Sequence, residues 1–192
     1  MLFRKVILTT TFLLTLNFCF AQDSKPTYEQ TVNWITTKLS SYFIGMNGEY
    51  SDWCTIKKFE NGVTFSITDC KLIMQGRANW CDPSNVGSLC EKYDVTVSIP
   101  IYDIDVATSF GPYYETQIAC KTNSVKVEIG EVLIKYSAED EYVHYRNAHT
   151  DFYGSRQLAI DWAREENLKV RMRQALINLQ SYCPKPKSNE PF

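Results

Sequence analysis

Histidine is nearly missing from this chain, with only His144 and His149 among 192 residues. There is no His-Glu-x-x-His zinc motif, no Gly-x-Ser-x-Gly elbow, no glycine-rich phosphate loop and no EF-hand spacing. Those gaps exclude the common motif-bearing hydrolases, nucleotide enzymes and calcium sensors. No two cysteines after residue 21 lie closer than Cys81 and Cys90, so neither a redox Cys-x-x-Cys nor the paired spacing of a zinc site is present. Basic tracts are also absent, which excludes general electrostatic attraction to nucleic acid or anionic lipid. No apolar run after the first twenty-one residues approaches the ~20 needed to span a bilayer. The chain shows no internal repeat, low-complexity tract or linker long enough to divide domains.

What is present begins with an N-terminal address. Arg4 and Lys5 precede an apolar run from Val6 to Phe18, and Cys19-Phe20-Ala21 places small residues where a signal peptidase reads. This predicts a signal peptide over 1–21, a single disulfide-stabilised domain over 22–183 and a flexible tail over 184–192. A lipid anchor at Cys19 is the weaker reading, because Phe18 occupies a position where lipoprotein signals carry a small residue. Removal of Arg4 and Lys5 leaves 18 Lys+Arg against 22 Asp+Glu, a net charge of −4. With 14% aromatic and 22% charged residues, the exported chain is expected to be folded, soluble, and secreted or periplasmic.

Six cysteines remain after that cleavage: Cys54, Cys70, Cys81, Cys90, Cys120 and Cys183. An even number in an oxidising compartment predicts a disulfide framework. Cys81 and Cys90 bracket a loop of turn residues, so that bridge is the one pairing named. Cys183 is expected to tie the last helix to the body, with Cys120 as one candidate partner. Cys54 and Cys70 flank a presumed hairpin on opposite faces, and their pairing stays open.

Periodicity predicts an α+β domain: an N-terminal helix, an antiparallel sheet or small open barrel of about six strands, and a long C-terminal helix packed on it. Thr27 and Gln30 form a capping box, and Tyr28, Val32, Ile35, Leu39 and Tyr42 or Phe43 make one apolar stripe. From Trp53 to Tyr136 the pattern alternates, with clear two-residue periods at 63–68, 95–101 and 125–130. Asn61-Gly62 reads as a type I′ hairpin turn, and Pro100 as an edge or bulge position. The last helix is expected from Ser155 to about Tyr182, with a possible break at 164–167.

Candidate chemistry is sparse. His144, His149 and Asp151 share a polar stretch, 139–151, that reads as a solvated loop. Two imidazoles and a carboxylate this close are also the ingredients of a metal site or an acid–base pair. Arg164, Lys169, Arg171 and Arg173 read as the wet face of a helix. The twelve tyrosines and four tryptophans suit core packing, and exposed aromatics also suit ligand binding.

The opening run from Thr27 to Leu39 and the closing run from Arg171 to Cys183 resemble the terminal helices of small exported proteins of unknown function from Bacteroidota. Phe20-Ala21-Gln22 is similar to their cleavage site. The resemblance implies the layout of helix, antiparallel sheet or roll, and closing helix, in the manner of a pleckstrin-homology barrel. It implies no activity. The expected function is therefore an exported, non-catalytic binding or protein-interaction module of the periplasm or cell surface, without cofactor, whose partner is an envelope protein or a small ligand. Two alternatives stand beside it. One is a secreted hydrolase or metal-dependent enzyme using the His144–Asp151 stretch, and the other is an envelope-localised inhibitor acting through a loop such as Cys81–Cys90.

Overall fold

The computed structural model describes residues 25–47, 56–81, 90–109, 117–137, 139–153 and 155–186. The predicted signal segment 1–21, Cys54 and most of the predicted tail lie outside the described residues. Helix α1 spans Tyr28–Tyr42 and starts as its sequence dictates. The Thr27 hydroxyl accepts from the Gln30 N–H at 3.2 Å, and Gln30 Oε1 accepts from the Thr27 N–H at 2.9 Å. Two of the helix's orphan donors are thereby satisfied. Replacing Thr27 by Ala is expected to cost about 1 kcal/mol, read as a lower urea midpoint with an unchanged m-value.

Among the described residues ten strands follow: β1 Phe43–Asn47, β2 Ile56–Thr68, β3 Lys71–Cys81, β4 Cys90–Pro100, β5 Gln117–Ala119, β6 Val125–Ile129, β7 Val132–Lys135, β8 Val143–Arg146, β9 His149–Tyr153 and β10 Ser155–Ile160. A short helix, α2 (Val106–Ser109), follows β4, and helix α3 (Leu168–Tyr182) closes the domain. Among the described residues every strand pairing is antiparallel, and the sheet runs β5-β10-β1-β2-β3-β4-β6-β9, with β7 beside β4 and β8 beside β7. The α+β expectation holds, with ten strands where about six were expected.

The sheet has to roll. Strand β9 lies six places from β10 along the sheet, about 29 Å if it were flat. Yet Tyr153 ends β9 and Ser155 begins β10, so the covalent chain holds those ends within about 7 Å. The register lines up apolar residues on the concave face. Phe65 faces Met74, Met74 faces Val97 and Val97 faces Val127, all four buried. Ile35 and Leu39 of α1, with Met172, Leu176 and Leu179 of α3, complete the same core.

Three sequence expectations are corrected. Asn61-Gly62 is not a hairpin turn, because β2 runs straight through it. Glu60 faces Arg77 and Val63 faces Gly76, so the two residues between are extra, a bulge in which Gly62 takes φ 82°. The hairpin turns instead at Asp69-Cys70, with φ 49° and 56°, the paired positive values of a type I′ turn. Residues 155–160 are strand rather than helix: Leu158 and Ile160 alternate into the core, and the helix begins only after Asn167 at φ 57°. Finally, 143–146 and 149–153 are strands rather than loop.

Opposite the bulge, a Cβ on Gly76 would meet the Phe59 ring at 2.7 Å and Val63 Cγ2 at 3.2 Å. Phe59 is itself held against Phe43, ring centroids 5.5 Å apart. Gly76→Ala is therefore expected to cost about 1–3 kcal/mol through overpacking, measured as a fall in thermal midpoint.

The C-terminal end of α3 is anchored by a disulfide and by side-chain hydrogen bonds. Cys183 bonds to Cys70 in the β2–β3 turn, Cα atoms 5.4 Å apart. The Gln180 side-chain amide donates to the carbonyls of Ile101 and Ile104 at 2.9 and 2.8 Å. The expected candidate partner of Cys183, Cys120, is a free half-buried thiol. Burial pushes its pKa up to about 11, which keeps it protonated and unreactive. The β3–β4 register sets Cys81 opposite Cys90, and Cys90 is disulfide-bonded.

Candidate functional site

The terminal helices α1 and α3 pack side by side and leave a cleft of about 590 Å³ between them. Lys25, Pro26, Gln30, Thr31 and Trp34 line one wall, and Arg171, Gln174, Ala175 and Asn178 line the other. Helical spacing explains the arrangement. Arg171, Gln174, Ala175 and Asn178 recur at three- and four-residue intervals, and Gln30, Thr31 and Trp34 do the same on α1. The two stripes lie one step round each helix from the core stripes.

Asn178 is the unusual member, a polar residue only 8% exposed. Its amide nitrogen donates to Thr31 Oγ1 at 2.9 Å and lies 3.4 Å from the Pro26 carbonyl. The orientation of the amide is chemically fixed. The Thr31 hydroxyl spends its own hydrogen on the Thr27 carbonyl at 2.8 Å, so it can only accept from Asn178. The other end, Asn178 Oδ1, is buried without a hydrogen-bond partner among the described residues. An unsatisfied buried acceptor costs on the order of 1–3 kcal/mol.

Charge in the cleft has one sign. Among the described residues Lys25 and Arg171 are the ionised ones lining it, and no carboxylate does. The Arg171 guanidinium stands 5.1 Å from the Trp34 ring centroid, a cation–π distance. Lys25 donates to the Ser181 hydroxyl at 2.9 Å and sits over the Tyr182 ring. Beyond the cleft's Arg171 end, Glu165 accepts from Lys38, Arg171 and Tyr42 and ties α3 to α1. The Lys38 hydrogen bond, opposed in part by burial and aided by Arg171, lowers the Glu165 pKa, while the same bond raises that of Lys38. A lowered carboxyl pKa adds stability above the unfolded value near ~4.3, and that stability is lost as pH falls through the folded value. Glu165→Gln is expected to be less stable than wild type at pH 7. The gap should close by pH 3, as measured by urea titration at both values.

The histidine stretch takes a different form from the expected loop. His149 and Asp151 sit on β9, two residues apart on one face, with Nε2 to carboxylate oxygen 3.5 Å. His144 is exposed on β8. None of the three lines the helix cleft. Among the described residues no group of three or more metal-ligating side chains converges, and no helix is long and apolar enough to cross a membrane. Exposed aromatics do occur at Tyr136, Tyr145 and Phe152, on or beside the β7–β9 strands.

The sequence pattern placed Trp34 and Asn178 in helices without marking either as functional. A polar residue directly beside the apolar stripe of α3 was the available signal for Asn178. Comparisons with protein-family models, with curated proteins and with solved structures return no match.

Proposed function

We propose that this chain is an exported, non-catalytic binding module of the periplasm or cell surface, and that the α1–α3 cleft takes its ligand. The observation that carries the reading is that cleft. Its volume of about 590 Å³ falls within the range of small-molecule sites. Its walls combine an aromatic face and two cations. Export is supported by the Cys70–Cys183 disulfide, a bond that persists in oxidising compartments.

The hydrolase alternative draws on the His149–Asp151 pair, which stands apart from the cleft and without a third convergent group among the described residues. The inhibitor alternative would use residues 82–89, which lie outside the described residues. The kinship with small exported Bacteroidota proteins remains part of the proposal, resting on the two terminal helices that build the cleft.

The test is affinity capture from a small-molecule envelope extract, with the wild-type chain and Trp34→Ala compared by mass spectrometry. A compound retained by wild type and lost with Trp34→Ala, at equal helical content by circular dichroism, is the expected result. Equal retention by both proteins would remove the cleft from the account.

A further inference from the structure

We infer that the cleft's ligand is a small organic anion, a carboxylate carried on a flat apolar body. The inference rests on the binding reading above and deepens it. Cations line the cleft from both helices, with Lys25 just before α1 and Arg171 early in α3. Among the described residues no acidic side chain lines it, so an anion would meet a cation on either side and no lining carboxylate. Among the described residues the partners of Lys25 are neutral, the Ser181 hydroxyl and the Tyr182 ring. Arg171 already shares Glu165, yet a guanidinium presents five N–H donors and one pair does not exhaust them.

The body of the ligand follows from Trp34. Its ring is half-buried and carries the Arg171 guanidinium at 5.1 Å, so ring and cation form one recognition unit. Ala175 opposite is small and Pro26 is apolar, which leaves width for a flat ring against the indole. Gln30 and Gln174 supply neutral donors that also favour carboxylate oxygens. A cationic ligand is disfavoured by the same two charges, and a purely apolar one would desolvate Lys25 with no anion to offset the cost.

The experiment uses the exported chain with three probes that share one body: 1-naphthylacetate, its amide, and 1-naphthylmethylamine. The readout is the Trp34 indole N–H resonance, identified by its loss in Trp34→Phe. The anion is expected to shift that resonance saturably. The amide should bind about tenfold more weakly, and the amine should not bind. Lys25→Gln and Arg171→Gln should each weaken the anion several-fold, and the first leaves the Glu165 cluster intact, so its effect is not one of folding. If all three probes bind alike, or neither substitution matters, the anion assignment fails while a binding cleft survives. If no probe moves the Trp34 resonance, the cleft itself fails as a site and the binding reading falls with it. A Trp34 resonance that moves with protein concentration and not with any probe would make a second copy of the chain the occupant and overturn the proposal.

Discussion

Removing the Cys70–Cys183 bond by the double substitution Cys70→Ala/Cys183→Ala should lower unfolding stability by about 4 kcal/mol. The two residues are 113 positions apart, so the closed loop spans most of the domain. The chain-entropy account gives about 4.7 kcal/mol for a 100-residue loop, and native bridges commonly contribute about 2–4 kcal/mol. The site favours the upper end of that range. Cys183 is fully buried, so the substitution also removes packed sulfur from the core. Cys70 occupies the second position of a tight turn at φ 56°, where a non-glycine residue is held at some cost. Without the bond, the end of α3 keeps the Gln180 amide's two contacts with Ile101 and Ile104, the Lys25–Ser181 and Tyr182–Pro26 hydrogen bonds, and its packing. Chemical denaturation of the purified double variant checks this. A loss below 1 kcal/mol would mean that the bond leaves the unfolded chain no more restricted than it would otherwise be.

Asn178→Asp should be almost as damaging, and its damage should depend on pH. The native amide nitrogen points at two groups that can only accept, Thr31 Oγ1 and the Pro26 carbonyl. A carboxylate there would face acceptors with no donor, as an unpaired charge at a buried position. The expected cost at pH 7 is about 3 kcal/mol. A protonated acid can donate to Thr31, so the folded pKa of the new carboxyl should rise above the unfolded value near ~3.9. The deficit should therefore be small at pH 3, appear above the unfolded pKa and grow until the folded pKa is passed. Urea midpoints at pH 3, 5 and 7 give the profile. A deficit independent of pH would mean that the amide's hydrogen bonds are not what Asn178 contributes.

The two helices and the central strands were legible from sequence because their signals are local and redundant. A capping box and a stripe at helical spacing agree over 27–42, and 95–99 alternates without interruption. The misread hairpin had a physical cause. Asn-Gly supplies positive φ, which a type I′ turn and a bulge both use. The true turn at Asp69-Cys70 carries no glycine, and its conformation is held by Cys183 across the domain, a contact with no local trace. Residues 155–160 misled for another reason. Leu158 and Trp162 fall at a helical interval, while Leu158 and Ile160 fall at a strand interval, and six residues cannot separate the two periods. Strands β8 and β9 were invisible because β8 exposes all four of its residues. The cleft was not legible at all. It needs α1 beside α3, an adjacency that no local pattern in either helix records.

The most direct measurement is a crystal structure of the chain purified from the cells that produce it. The account predicts a bound molecule between Trp34 and Asn178, with an anionic group near Lys25 or Arg171. A cleft holding only water, with the co-purified molecule bound elsewhere on the protein, would contradict it.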